Sequence, residues 1–149
     1  MKKLISLTVS MLIVFNVWAI ENDSEGTTLK VVPDGSLKQV MQQLGRDYSS
    51  LDRAILWENF EAAAEAANAI AYHDKPSMWQ RMKIMGTLGT EMPDFKKEDD
   101  KVHALAIKIE EAAKAKDMPL LIQRQSQMLS ACMGCHTTYR SRVIKAFKQ

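Results

Sequence analysis

Residues 117–147 read DMPLLIQRQSQMLSACMGCHTTYRSRVIKAF, and the spacing of their apolar positions decides the fold class. Leu121, Gln125, Met128, Cys132, His136, Tyr139 and Val143 recur at steps of three and four. That is the period of one face of an α-helix. Asp117 suits the N-cap, where a carboxylate accepts from the free amides of the first turn. Pro119 is tolerated just inside, because its missing N–H is not needed there. The spacing predicts a helix running to about Phe147.

The same period recurs upstream. Ser36 is a candidate N-cap for a first helix whose stripe is Leu37, Val40, Met41, Leu44, Tyr48, Leu51 and Ile55. Trp57 to Asn59 turns the chain. Phe60, Ala63, Ala64, Ala67, Ile70 and Ala71 mark a second, alanine-rich helix able to pack closely. From His73 to Asp94 the pattern is broken by Pro76, Gly86, Gly89 and Pro93, which predicts a long connection holding one short helix. A third helix is expected from about Phe95 to Lys116, with Val102, Leu105, Ala106, Ile109 and Ala113 inward. No strand alternation of useful length appears. These elements predict an all-α chain, an antiparallel four-helix bundle whose facing helices can hold a cofactor in the core.

Composition bounds what such a bundle does. The 149 residues amount to one domain, and 46% hydrophobic with 26% charged residues excludes a disordered chain or a multi-span membrane protein. A net charge of +2 gives no basic field for nucleic acid, and two cysteines are too few for a disulfide scaffold. Lys2 and Lys3, the apolar run Leu4 to Val17, and Val17-Trp18-Ala19 have the layout of a bacterial secretory signal. The run is shorter than the ~20 residues that span a bilayer. The expected organisation is a cleaved signal over residues 1–19, a polar arm over 20–35 and a helical domain over 36–149. The mature chain would then be periplasmic, with no membrane contact and with basic and acidic residues balanced.

The chemistry is concentrated in Cys132-Met133-Gly134-Cys135-His136, C-x-x-C-H, the attachment signature of c-type haem. Two thiols form thioethers with the haem vinyl groups, and the adjacent imidazole serves as an axial iron ligand. At about 100° per residue, positions 132, 135 and 136 fall within roughly a 100° arc of a helix, so all three can face one porphyrin. Other uses of the cysteines fit less well. Structural zinc needs four ligands, and no second Cys pair or His-x-His cluster exists. A redox dithiol expects a βαβ context. A simple disulfide suits an exported chain but leaves the adjoining His unexplained.

Cys132 to Arg140, CMGCHTTYR near the end of a four-helix chain, resembles the cytochrome c-prime family, in which C-x-x-C-H-x-x-aromatic-Arg lies on the last helix. The likeness covers about Leu37 to Lys145. It implies one covalent haem c, an iron held by His136, single-electron transfer with periplasmic redox partner proteins rather than enzymatic turnover, and dimerisation through the first two helices.

The sixth iron ligand separates two subtypes. Val40-Met41-Gln42-Gln43-Leu44-Gly45-Arg46 is similar to the first-helix stretch of the low-spin cytochrome c-556 type, which makes Met41 the second axial ligand. Gas-binding members leave that position open to NO or CO, here behind Leu37, Met41 and Leu44. They often carry an Arg early in the first helix, and its counterpart falls near Asp34. His73 and His103 read as surface or satisfied histidines. Arg140, Arg142 and Lys145 suit either haem propionates or the negative end of a helix.

Overall fold

The computed structural model of the protein describes residues 35–148, so the expected signal at 1–19, nearly all of the arm at 20–35, and Gln149 lie outside the described residues. The elements are α1 (Leu37–Leu56), α2 (Phe60–Ala71), α3 (Met78–Leu88), a 3₁₀ turn (Gly89–Glu91), α4 (Met92–Lys114) and α5 (Met118–Phe147). Four of these helices make an all-helical bundle, and α3 is the short helix expected within the connection. No strand occurs among the described residues. No helix among them is long and apolar enough to cross a membrane.

Polar caps set the starts. The Ser36 hydroxyl accepts from the Gln39 amide at 3.1 Å, the Asn59 side chain from Ala62 at 3.0 Å and the Asp117 carboxylate from Leu120 at 3.0 Å. Each satisfies an amide that the helix itself cannot pair, a contribution of ~1 kcal/mol. Helix α4 starts at Met92, earlier than Phe95, because Pro93 fits the first turn of a helix and the chain runs straight on from the 3₁₀ turn. It stops at Lys114. Lys116 beyond it adopts a positive φ of 55° and its amide bonds back to the Ala113 carbonyl, closing the helix before α5.

Packing follows the sequence α1 on α2, α2 on α4 and α4 on α5. The main core joins Leu51 and Ile55 of α1, Ala63, Ala67 and Ile70 of α2, Ala106, Ile109 and Ala113 of α4, and Leu121 and Met128 of α5. Alanines on both facing helices leave little side-chain bulk between α2 and α4. A second, smaller cluster unites Ile84 and Leu88 of α3 with Tyr139 and Val143 of α5, flanked by Leu37, Phe95 and Phe147. Helices α1 and α5 have no extended contact along their length.

Candidate functional site

Cys132, Cys135 and His136 occupy consecutive turns of α5, in a helix unbroken from Met118 to Phe147. The motif marks the division between the two cores. Cys132 packs against the main cluster and Cys135 against the smaller one. Both thiols are free and half-buried. Just beyond, the Thr137 hydroxyl donates to the Met133 carbonyl at 2.9 Å and the Thr138 hydroxyl to the Gly134 carbonyl at 2.9 Å. These threonines hydrogen-bond locally to the turn that carries the motif.

Burial governs the thiols. It pushes Cys135 up to about 11, with the Asp99 and Glu98 carboxylates and then Cys132 adding to the effect. Burial raises Cys132 as well. Both are therefore neutral at physiological pH. A dithiol built for redox exchange has the opposite tuning, with a lowered pKa that supplies thiolate.

His136 is exposed. Among the described residues its ring makes no hydrogen bond or ion pair. Met41 on α1 is 40% exposed. The periodic stripes placed both residues inward, and here the structure differs. The stripe of α1 is wider than the face its neighbours cover, so Val40 and Leu51 are buried while Met41 stays exposed. On α5, Met128, Tyr139 and Val143 are buried and His136 lies at the edge of the same stripe.

Two tethers relate α1 to α5. The Gln125 amide donates to Asp52 at 2.9 Å. Tyr48 is hydrogen-bonded to Gln125; its hydroxyl is raised chiefly by burial, then by Asp52 and Cys132. Leu37 packs against the smaller cluster of Ile84, Leu88, Tyr139 and Val143, which α3 and α5 share. Met41 and Leu44 lie between these tethers on α1, as Cys135 and His136 do on α5. The donor set on α5 is two neutral thiols and an uncommitted imidazole, with an exposed thioether on α1, and its chemistry fits c-type haem.

Of the cations expected near haem propionates, Arg142 is committed elsewhere. It forms a two-pronged pair with Glu91, holding that carboxyl below its usual range, and its guanidinium lies 5.5 Å from the Tyr139 ring centroid. Tyr139 in turn meets Phe95 edge to face at 5.3 Å. Arg140 and Lys145 are exposed.

Two grooves open on the surface. One of about 760 Å³ runs between α4 and α5 past Leu105, Lys108, Gly134 and Thr138, and one of about 520 Å³ between α2 and α4 past Ala64, Asn68 and Glu110. Neither is lined by Cys132, Cys135, His136 or Met41.

Sequence reasoning treated His73 and His103 singly, but the fold stacks their rings at 4.8 Å with Asp99 alongside. Asp99 and His103 stand four residues apart on α4, a signal readable in the sequence. The approach of His73 from beyond α2 is not. No family model matches the chain, and neither curated proteins nor solved structures give a match.

Proposed function

We propose that this chain is an exported, periplasmic mono-haem c-type cytochrome on an antiparallel four-helix bundle, serving as a single-electron carrier rather than an enzyme. One observation carries the reading. C-x-x-C-H lies on an unbroken helix with both thiols half-buried and neutral, Cys132 against the main core and Cys135 against the smaller one. Cys132 and Cys135 would hold the haem as thioethers, His136 would bind iron through its free imidazole, and Met41 would offer its sulfur from α1. When bound, haem c supplies a one-electron ferrous/ferric couple, and thioether ligation favours the reduced form.

The rest is the work of the protein. The main core and the Asp52–Gln125 hydrogen bond hold α1 to α5 at one end of the site, and the Leu37 contact ties the start of α1 to the smaller core that α3 and α5 share. A site held at both ends reorganises little when charge changes. With basic and acidic residues balanced after loss of Lys2 and Lys3, docking to a redox partner depends on a local patch rather than the overall field.

Absorption spectra of the purified protein, oxidised and reduced, test this. Haem retained after acid-acetone extraction, and a low-spin spectrum that becomes high-spin in Met41→Ala, are the expected results. No covalent haem would refute the cytochrome reading. A second reading, a five-coordinate protein that binds NO or CO, is favoured by one observation: Met41 is 40% exposed and not pinned by packing. Rapid CO binding to the ferrous form, unchanged by Met41→Ala, would select it.

A further inference from the structure

His73, Asp99 and His103 each present a ligand atom, and these atoms all lie within 4.8 Å of one another. His103 and Asp99 are neighbours on one face of α4, their Nε2 and Oδ2 3.6 Å apart. His73 comes from the connection just after α2.

The backbone fixes how both rings are protonated. Nδ1 of His103 lies 2.6 Å from the Ala71 carbonyl and Nδ1 of His73 lies 2.8 Å from the Asp74 carbonyl. A carbonyl only accepts, so each Nδ1 carries the hydrogen and donates it. In the neutral ring Nε2 then holds the free lone pair. Imidazoles that bind metals are oriented in this way, with the second ring nitrogen donating to a carbonyl or carboxylate.

We propose that His73, Asp99 and His103 form a binding site for a divalent transition cation of the zinc type, separate from the C-x-x-C-H site. Two imidazoles and a carboxylate suit such an ion, and three protein ligands leave a fourth position for water. Ligand atoms of a tetrahedral zinc stand ~3.3 Å apart, so the His103–Asp99 separation is already near that value. The closure still needed falls on His73, which belongs to no helix and can turn its ring without moving one. The His103 and Asp99 side chains are 29% and 48% exposed, which gives the ion a path in and room for its water. In the unfolded chain His73 is far from the other two, so the bound ion would also stabilise the fold.

The test uses the full chain as purified. Zinc is titrated by calorimetry, and cobalt(II) serves as the spectroscopic probe. One equivalent should bind, giving cobalt bands typical of nitrogen and oxygen ligands with no thiolate charge-transfer band. His73→Ala and Asp99→Asn should each weaken zinc binding at least about tenfold. These two variants decide the matter, since His103→Ala also removes the bond to Ala71; circular dichroism confirms that both are folded. Unaltered zinc affinity in both variants, a thiolate band with cobalt, or no binding would overturn the proposal and leave a stacked histidine pair beside an aspartate. Because none of Cys132, Cys135, His136 or Met41 is involved, the site stands or falls independently of haem attachment.

Discussion

Ile109→Ala should cost this fold ~3–4 kcal/mol, and the structure says why the figure lies well above that for a typical substitution. Ile109 is fully buried in the main core. Removing three carbons forfeits ~2.4 kcal/mol of transfer free energy at ~0.8 kcal/mol each. The rest depends on whether the surroundings can fill the gap. Much of this core is alanine, including Ala63, Ala67, Ala106, Ala112 and Ala113, and an alanine has no rotamer to swing inward. The cavity therefore persists and adds ~1 kcal/mol. Val143→Ala, in the smaller cluster of four buried residues, removes two carbons and should cost only ~1–2 kcal/mol. Urea denaturation followed by far-ultraviolet circular dichroism measures both. At an m-value of ~1.5 kcal/mol/M the midpoint of Ile109→Ala should fall by ~2 M. A loss under ~1.5 kcal/mol, or a Val143→Ala cost equal to it, would refute the claim that the alanine-rich core holds the bundle together.

Other outcomes follow from single groups. In the haem-free chain, alkylation of Cys135 should be slow at pH 8 and rise toward a midpoint of about 11, and Asp99→Asn should lower that midpoint only modestly because burial is the larger cause. The folded value is the raised one, so the stability linked to this thiol is complete below ~8.5 and is lost as pH climbs toward about 11; urea midpoints across that range give the check. Asp117→Ala should cost ~1 kcal/mol by loss of the cap to Leu120, while Asp117→Asn should cost a few tenths, both readable by thermal melts. Arg142→Gln should leave the haem absorption bands of loaded protein where they are, since Arg142 is paired with Glu91, and a shifted band would place it at the cofactor instead.

The helices were legible because their cause is local. Ser36 and Asp117 cap where the polar residue precedes an apolar stripe, and the turn at Trp57 to Asn59 lies where the stripe breaks. The burial of Ile109 and Leu121 in their stripes was equally readable. What periodicity could not supply was which part of each stripe a partner covers. Met41 and His136 fit their stripes yet are exposed, because that depends on the separation of α1 from α5, a property of the whole bundle. The His73–Asp99–His103 cluster was hidden for a related reason. Its i,i+4 half is a helix property, but the third member arrives by way of the connection after α2.

On the proposed reading, the choice between an electron carrier and a gas binder reduces to one side chain rather than to the placement of a helix. Helix α1 is anchored at its start by the Ser36 cap, by the Leu37 amide donating to Gln80 at 2.7 Å and by buried Val40. Further along, it is anchored by Leu51 in the core and by Asp52 to Gln125. Neither end can shift without breaking these contacts, so the backbone at residue 41 is held from both sides. Met41 itself is held by little. Its three rotatable bonds and soft sulfur let it turn toward α5 or away at small cost. A Met41→Leu substitution keeps the volume and removes the sulfur, leaving every anchor of α1 intact. A change of spin state in that variant would therefore report ligation by sulfur, free of any rearrangement of the bundle.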